Sequence, residues 1–424
     1  MPAHVASPSE DRLPSTTCYF TCRIPRRPPH TMSQWKGYRM TTVTTAQVRR
    51  RNRDRVLEEI YRHDGVSKRD LARTLDMSLP TITQNLGDLE SEGFVIRRGF
   101  SHSTGGRKPQ IYSFNERVRL AVGVHMTARG VVVCAVDLRG NCVKRASGRL
   151  PYAHRDAYYH RVCQFVNQFI DSLVKALPPS DVSPILGVAF CMQGIISKDG
   201  RRVVFGKVLG NEGLTVETFG REISRPCVLV HDSAASAMEE IWRRPDIGDA
   251  LCLYLEDYLG GAVIIDGRLH QGAGMRNGTV EHMTLVPDGR RCYCGKLGCL
   301  DAYCSARSLV EGRDETLKEF FNQVRDDEYT HRRIFHQYLD HLALAVKNMR
   351  TVLNCDVVIG GHVGQYLTMD DLADLKLRMQ ALESFDDMDF RVRKSVCQHD
   401  QAAIGAALTF VRDYVDEICG HENR

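Results

Sequence analysis

The sequence lacks a long apolar run: no hydrophobic stretch among its 424 residues approaches the ~18 residues needed to span a membrane. Its first residues carry no basic stretch followed by an apolar core, so no secretory signal peptide is predicted. A disulfide framework is also missing, because the 15 cysteines are scattered except for three, which suits a reducing cytoplasm. These absences predict a cytoplasmic protein without membrane insertion. The net charge of +5 indicates no particular partner by itself.

One imidazole and three thiols do lie close together, within residues 282–299. His282, Cys292, Cys294 and Cys299 have the spacing H-x9-C-x-C-x4-C, with glycines between the last two thiols. Three thiols within eight positions favour a metal site over incidental buried cysteines. A Cys3His set fills the tetrahedral shell of zinc, as structural sites do. The pattern therefore predicts a zinc knuckle with one structural Zn²⁺ per chain.

The length of the chain predicts two or three domains. Residues 1–44 are rich in proline and basic residues and have no sustained apolar period, which predicts a disordered tail. Met32 and Met40 are plausible alternative starts, so a mis-assigned start is the other interpretation. Cys18 and Cys22 have no further ligands beside them, and we interpret them as incidental.

Residues 45–115 predict three helices followed by a hairpin. The first helix covers 47–63, where apolar residues recur at helical spacing. Ser67 is expected to cap the second helix. Ser78 is expected to cap the third, where Pro80 is tolerated in the first turn. After this helix, two short apolar segments flank a basic loop, which completes the pattern of a winged helix-turn-helix.

This segment carries a net charge of roughly +4, as contact with the phosphates of double-stranded DNA would require. Charge alone leaves open a three-helix module used for dimerisation or protein contact. The candidate DNA-binding residues are Lys68, Ser78, Thr81, Gln84 and Asn85 of the helices, with Gly105, Gly106, Arg107 and Lys108 of the basic loop. The first group has small or amide side chains that suit base edges, apart from Lys68, and the second group would form the wing.

Residues 116–424 alternate between strands and helices. The apolar strand candidates are Leu120–Val124, Val131–Leu138, Ile185–Phe190, Val228–Val230, Leu251–Leu255, Ala262–Ile265 and Val357–Ile359. Apolar residues at helical spacing predict helices over 162–174 and 332–353. Strands interleaved with helices indicate an α/β domain with a mixed sheet.

The zinc segment resembles the ROK family (repressors, open reading frames and sugar kinases), whose signature runs G-E-x-G-H and then C-x-C-G-x-x-G-C. His231-Asp232-Ser233-Ala234 resembles the family's N-D-A-N segment, and 255–267 resembles its glycine-rich strand and turn. Two N-terminal stretches, which start at Ala46 and Ser103, resemble the DNA reader of ROK repressors. The resemblance implies a two-lobed actin-like/sugar-kinase fold, preceded by a winged helix-turn-helix, with a sugar cleft between the lobes.

The resemblance also indicates lost chemistry. The kinases' D-x-G-x-T turn corresponds here to His125–Arg129, and their G-T-G-x-G-G-G loop corresponds to Glu256–Ala262. Side chains in place of glycine block the approach of backbone to phosphate, and two new carboxylates would repel a triphosphate. Asp232, which matches the family's general base, is retained. We therefore predict that the chain is not an enzyme.

By the same resemblance, the effector-binding residues would be His231, Asp232, Thr279, Glu281, His282 and Asp301. Thr279 stands where the family has a sugar-binding glutamate, and Glu281 is a nearby substitute whose side chain would point differently. His282 would both ligate zinc and face the sugar. A decayed cleft that binds nothing is the alternative, but the retained acids and imidazole favour a small sugar-type effector.

Together these patterns predict a DNA-binding transcriptional regulator. We expect a repressor of genes for sugar uptake or catabolism, controlled by a sugar or sugar derivative. A homodimer or homotetramer is expected, because helix-turn-helix readers bind paired half-sites. Two alternatives remain: an active ATP-dependent sugar kinase with an appended DNA-binding module, and a regulator controlled by a protein partner.

Overall fold

A computed structural model of the chain describes residues 44–63, 65–100, 109–177, 182–384, 389–396 and 399–420. Residues 1–43 lie outside this range, so the disordered tail stays a prediction. The wing loop 101–108 also lies outside it, and with it the expected DNA contacts of Gly105, Gly106, Arg107 and Lys108.

Thirteen helices are found along the described residues, and none of them is both long and apolar enough to cross a membrane. They are α1 (Thr45–Arg62), α2 (Lys68–Leu75), α3 (Leu79–Ser91), α4 (Asp156–Val174), α5 (Glu217–Gly220), α6 (Asp232–Arg243), α7 (Asp301–Cys304), α8 (Ala306–Val310), α9 (Leu317–Arg325), α10 (Tyr329–Leu353), α11 (Gly361–Tyr366), α12 (Met369–Leu382) and α13 (Gln401–Ile418).

The strands are β1 (Val66–Ser67), β2 (Val95–Phe100), β3 (Gln110–Phe114), β4 (Leu120–Met126), β5 (Val131–Asp137), β6 (Cys142–Gly148), β7 (Ile185–Met192), β8 (Ile195–Ile196), β9 (Val203–Phe205), β10 (Cys227–His231), β11 (Ala250–Tyr254), β12 (Gly260–Ile265), β13 (Arg268–Leu269), β14 (Asp356–Gly360) and β15 (Val392–Lys394).

The N-terminal module, α1 to β3, has the three helices and the hairpin that the sequence predicts. Ser67 caps α2 by accepting a hydrogen bond from the Asp70 amide, and the Asp70 carboxylate bonds back to the Ser67 amide. Asp76 ends α2 in the left-handed conformation, and Ser78 caps α3 by accepting from the amide of Thr81. These caps produce the tight helix-turn-helix, beside which β1, β3 and β2 form an antiparallel sheet.

The first lobe is built on a five-stranded sheet with the order β10-β7-β4-β5-β6. β4 pairs with β7 in parallel and with β5 in antiparallel orientation. α4 covers one face of this sheet through residues such as Val162 and Val166. α13 covers the other face, so that β4 is buried on both sides, which explains its nearly continuous apolar sequence.

The second lobe is built on a sheet with the order β13-β12-β11-β14-β15. α10 and α12 cover one face, with Leu342 and Leu375 in a common core. α6 covers the other face, where Ala237 meets Ala250 and Ile264. β11 pairs in parallel with β14 and in antiparallel orientation with β12. The predicted two-lobed α/β fold with mixed sheets is therefore confirmed.

α6 and α13 form a layer between the two lobes. Their backbones touch, because a Cβ atom at Gly405 of α13 would lie 1.7 Å from the carbonyl oxygen of Ala235 in α6. α13 also shares a buried cluster with the N-terminal module, which includes Ile60 of α1 and Val411 of α13. The module is thus packed against the first lobe through a common hydrophobic core.

Candidate functional site

A cavity of about 730 Å³ lies between the two lobes. Its walls come from the β4–β5 turn, the β11–β12 turn, the first turns of α6 and α13, and residues 276–293. Five of the six expected effector residues line it: His231, Asp232, Thr279, Glu281 and His282. β4, β10, β11 and β14 all end at this cavity, and α/β proteins bind ligands beyond the carboxyl ends of their strands.

Asp232 lies where β10 ends and α6 begins. One of its carboxylate oxygens, Oδ1, accepts a hydrogen bond of 2.7 Å from the Ser233 amide, and the same atom lies 3.3 Å from Nε2 of His231. The other oxygen has no such bond among the described contacts. A carboxylate fixed on one side in this way can accept hydrogen bonds from a ligand's hydroxyl groups on the other.

Thr279 directly precedes the 3₁₀ turn Val280–His282, and Glu281 is the middle residue of that turn. The Thr279 hydroxyl donates to the Arg276 carbonyl at 2.7 Å. Burial raises the pKa of Glu281 to about 8, and the charges of Asp232 and Asp301 act in the same direction. Glu281 is therefore protonated at neutral pH and can donate a hydrogen bond. The cavity therefore contains a carboxyl group, that of Glu281, although Thr279 stands where the family has its sugar-binding glutamate.

Asp301 is not part of the cavity, and its assignment as an effector-binding residue is corrected. Its side chain is 1 % exposed. One oxygen accepts a hydrogen bond of 2.9 Å from the Leu259 amide, and the other pairs with Arg307 at 3.3 Å. Through these two contacts Asp301 fixes the position of the β11–β12 loop from outside the cavity.

The four expected metal ligands come together. The ligand atoms of His282, Cys292, Cys294 and Cys299 all lie within 4.8 Å of one another. Gly298 makes this possible, because it has a φ of 77° and a Cβ atom there would lie 1.9 Å from the carbonyl oxygen of Val286. The loop folds back onto itself at this glycine, and the cluster can bind a metal ion.

The geometry of this cluster and the protonation of its imidazole fit zinc. Sγ of Cys294 lies 3.7 Å from Sγ of Cys299, and Sγ of Cys292 lies 3.8 Å from Nδ1 of His282. Tetrahedral bonds of about 2.0–2.3 Å place ligand atoms about 3.5–3.8 Å apart. Burial, together with the charges of Lys296 and Lys207, lowers the pKa of His282 and favours the neutral imidazole that a metal needs.

An ion-pair cluster fills the other end of the cavity, where the sequence departs from the kinases. Arg129, in the β4–β5 turn of the first lobe, pairs with Asp257 of the second lobe at 2.8 Å. Nδ1 of His362 lies 2.9 Å from Glu256 and 3.7 Å from Asp257. Hydrogen bonds to these two acids raise the pKa of His362 to about 10, so it is a cation at neutral pH.

This cluster refines the prediction that Glu256 and Asp257 repel a triphosphate. Their negative charges are matched by Arg129 and His362, so simple repulsion is not the main obstacle. A phosphate group would instead have to displace side chains that already bond to one another. The Arg129–Asp257 pair also connects the two lobes across the mouth of the cavity, whereas His362 and its partners all belong to the second lobe.

Sequence analysis missed several cavity residues, among them His362, Tyr293 and Lys207. His362 lies in the first turn of α11, more than a hundred residues from its partners, and only its place after Gly360-Gly361 marked it. Tyr293 stands between two metal ligands, with its hydroxyl 3.3 Å from Nε2 of His282. Lys207, which follows β9 of the first lobe, donates to the Cys294 carbonyl at 3.2 Å. Its isolated charge gave no signal in the sequence.

The helix-turn-helix presents some of the expected DNA contacts and not others. Gln84 is exposed on α3, and Ser78 and Thr81 lie at its N-terminus, where their hydroxyls bond to each other. Lys68 is half-buried over the ring of Tyr112. Asn85 is corrected: it is 9 % exposed and donates its amide to the Thr81 carbonyl at 2.8 Å, so it faces the core.

The fold and the cavity define a two-lobed protein of the sugar-kinase type with an N-terminal helix-turn-helix. Residues 121–413 match the ROK family, and residues 49–96 match the winged helix-turn-helix DNA-binding family. The chain therefore belongs to the ROK family. The resemblance that the zinc signature suggested is confirmed over most of the chain.

Curated relatives of this chain include repressors. A putative xylose repressor of Caldicellulosiruptor sp. (strain Rt8B.4) is 22% identical over 348 residues, which are 76% of this chain and 85% of the relative. The DNA-binding transcriptional dual regulator NagC of Escherichia coli (strain K12) is 23% identical over 270 residues, which are 63% of this chain and 65% of the relative.

Solved structures share the fold. A ROK family transcriptional regulator, a homologue of the E. coli MLC protein, superimposes with a TM-score of 0.69 and 16% identity, over 88% of this chain and 98% of that one. A ROK family glucokinase from Streptomyces griseus, in complex with glucose and AMPPNP, gives a TM-score of 0.59 and 17% identity, over 68% of this chain and 98% of that one.

Proposed function

We propose that this protein is a sugar-responsive transcriptional repressor that binds double-stranded operator DNA as a homodimer or homotetramer. The observation that carries the proposal is the combination, in one chain, of a helix-turn-helix whose α3 has one exposed face and a cavity walled by carboxyl and imidazole groups. Relatives named as xylose repressors and as NagC support a sugar or sugar derivative as effector. We also propose that each chain binds one structural Zn²⁺.

We further propose that the sugar is bound without phosphoryl transfer. The support is the ion-pair cluster of Arg129, Asp257 and His362 at the end of the cavity that differs from the kinases. The rival function is an active sugar kinase with a DNA-binding module, which the retained Asp232 and the fold of the glucokinase favour. Transfer of labelled phosphate from ATP to sugars distinguishes the two.

The wild-type experiment combines both measurements. Operator sequences are first selected from random duplexes. Release of the selected DNA is then titrated with xylose, glucose and N-acetylglucosamine, and phosphoryl transfer to the same sugars is measured in parallel. The proposal expects specific DNA binding, release by at least one sugar and no sugar-dependent turnover of ATP. Turnover without any effect of sugar on DNA binding would support the kinase instead.

Gln84→Ala should change which operator sequences the protein prefers. Gln84 is exposed on α3, and a bidentate contact of glutamine with adenine contributes about 1–3 kcal/mol of discrimination. Competition binding on single-base operator variants measures the effect. Gln323→Ala, an exposed glutamine on α9, is the matched control and should leave the preference unchanged. Equal losses on specific and random DNA for Gln84→Ala would show that Gln84 does not read bases.

A further inference from the structure

α6 connects the cavity with the opposite side of the first lobe. Asp232, Ser233 and Ser236 in its first turns line the cavity. Its last residues, Trp242 and Arg243, lie at the other end of the helix, about 16 Å away at 1.5 Å per residue. A ligand that bonds to Asp232 therefore acts on one end of a single rigid element.

The far end of α6 is bonded to the β5–β6 turn. Nε1 of Trp242 donates to the carbonyl of Arg139 at 2.9 Å, and Arg243 donates to the carbonyl of Gly140 at 2.7 Å. Gly140 has a φ of 81°, and a Cβ atom there would lie 2.3 Å from Nε1 of Trp242. The turn and the helix end fit together so closely that a movement of one displaces the other.

The same turn holds the N-terminal module. The Tyr61 hydroxyl donates to the carbonyl of Leu138 at 2.9 Å. The guanidinium of Arg139 lies 4.4 Å from the centre of the Tyr61 ring and 5.7 Å from that of Phe114, and the two rings meet edge to face. Tyr61 belongs to α1 and Phe114 ends β3, so the turn contacts both the helices and the wing of the module.

α13 reinforces this connection. Gln401 and Ala402 in its first turn line the cavity, and its later residues, such as Val415, share a buried cluster with Val56 of α1. The close approach at Gly405 joins α13 to α6 along their backbones. The two helices are therefore packed directly against each other, and both lead from the cavity to the N-terminal module.

We infer that the contact of Trp242 and Arg139 transmits the state of the cavity to the DNA-binding module. The inference rests on the proposed function and specifies how the effector site controls it. A ligand that prefers one position of α6 shifts the population of that position. The β5–β6 turn, held by Trp242 at one side and by Tyr61 and Phe114 at the other, shifts the module accordingly. In the proposed dimer, the two DNA-binding modules then no longer have the separation that paired half-sites require.

The test measures coupling separately from binding. Arg139→Ala removes the cation above Tyr61 and Phe114, and Trp242→Phe keeps an aromatic side chain at this position but removes the N–H donor. Lys144→Ala is the matched control, since Lys144 lies above the ring of Phe169 at 5.6 Å in the same lobe, away from the module. Each protein is assayed for its melting temperature, its affinity for xylose, glucose and N-acetylglucosamine, and its operator Kd with and without saturating sugar.

In the wild type, the ratio of the two operator Kd values is expected at about 5–150, the usual range of coupling between sites. Trp242→Phe and Arg139→Ala should reduce this ratio about threefold to tenfold, with sugar affinity and sugar-free operator Kd within about twofold of the wild type. Lys144→Ala should keep the full ratio.

A ratio unchanged in both folded variants would overturn the inference and leave the proposed function standing. A loss of operator binding in Trp242→Phe without sugar would also overturn it, because the contact would then only support the fold. If no sugar changes the operator Kd of the wild type, both the proposed function and the inference fail.

Discussion

Cys294→Ser is expected to lower the melting temperature by about 10 °C and to abolish the stoichiometric zinc. Loss of a metal ligand is among the few changes that cost more than about 4 kcal/mol, and each 1 kcal/mol corresponds to about 2–4 °C in a large domain. The cluster has no ligand to spare, because four ligand atoms meet within 4.8 Å of one another. Elemental analysis and calorimetry of the purified protein measure both effects.

The loss should extend to the cavity. Two of its lining residues, His282 and Tyr293, belong to the metal loop, so the response of operator binding to sugar should fall together with stability. Cys142→Ser is the matched control, because Cys142 is exposed on β6 outside the cluster and should keep zinc, stability and response. Purified, unchelated wild-type protein without zinc would contradict the proposed site.

Asp232→Asn is expected to raise the sugar concentration needed for half-release of the operator about 10–100-fold. Asparagine keeps the shape but removes the charge, and hydrogen bonds to charged groups contribute about 1.5–3 kcal/mol each. Operator affinity without sugar should stay at the wild-type value, because Asp232 lies in the cavity and not on the DNA-reading surface. Operator titrations over the same three sugars provide the measurement.

Asp266→Asn is the control for this substitution. Asp266 is exposed in the β12–β13 turn with a φ of 51°, a conformation that asparagine also tolerates, so its charge can be removed without strain. It should respond to sugar like the wild type. A normal response of Asp232→Asn would remove Asp232 from the proposed effector site, and sugar-dependent ATP turnover by the wild type would contradict the proposal that the sugar is bound without phosphoryl transfer.

Local chemistry made much of the fold predictable. Ser67 and Ser78 cap their helices as expected, since a capping side chain bonds to amides only two or three residues away. The metal ligands were predictable for the same reason: three of them lie within one short loop. Seven strands of the two lobes followed from apolar runs, with ends that differ by one or two residues, whereas β6, β8, β9, β13 and β15 were not predicted.

The features that the sequence did not predict depend on packing between segments that are far apart in the chain. Asp301 was expected in the cavity, but the Leu259 amide and Arg307 occupy its oxygens, which no spacing in the sequence indicates. Asn85 has the type of side chain that contacts bases, yet its position on α3 places it on the buried face of the helix. α13 was not predicted, and its small residues serve close approach to α6 and β4, which only the folded chain brings beside it.

The ion pair across the cavity mouth bears on which changes in the cell the protein can respond to. Arg129 and Asp257 join the lobes with the chain's own charges, in the part of the cleft that differs from the kinases. Under the proposed function, a receptor whose lobes are joined by its own side chains would not need a nucleotide to bring them together, so its operator binding would not follow the ratio of ATP to ADP. Under the proposed function, the genes it controls would answer to the supply of sugar in a starving cell and in a well-fed one alike.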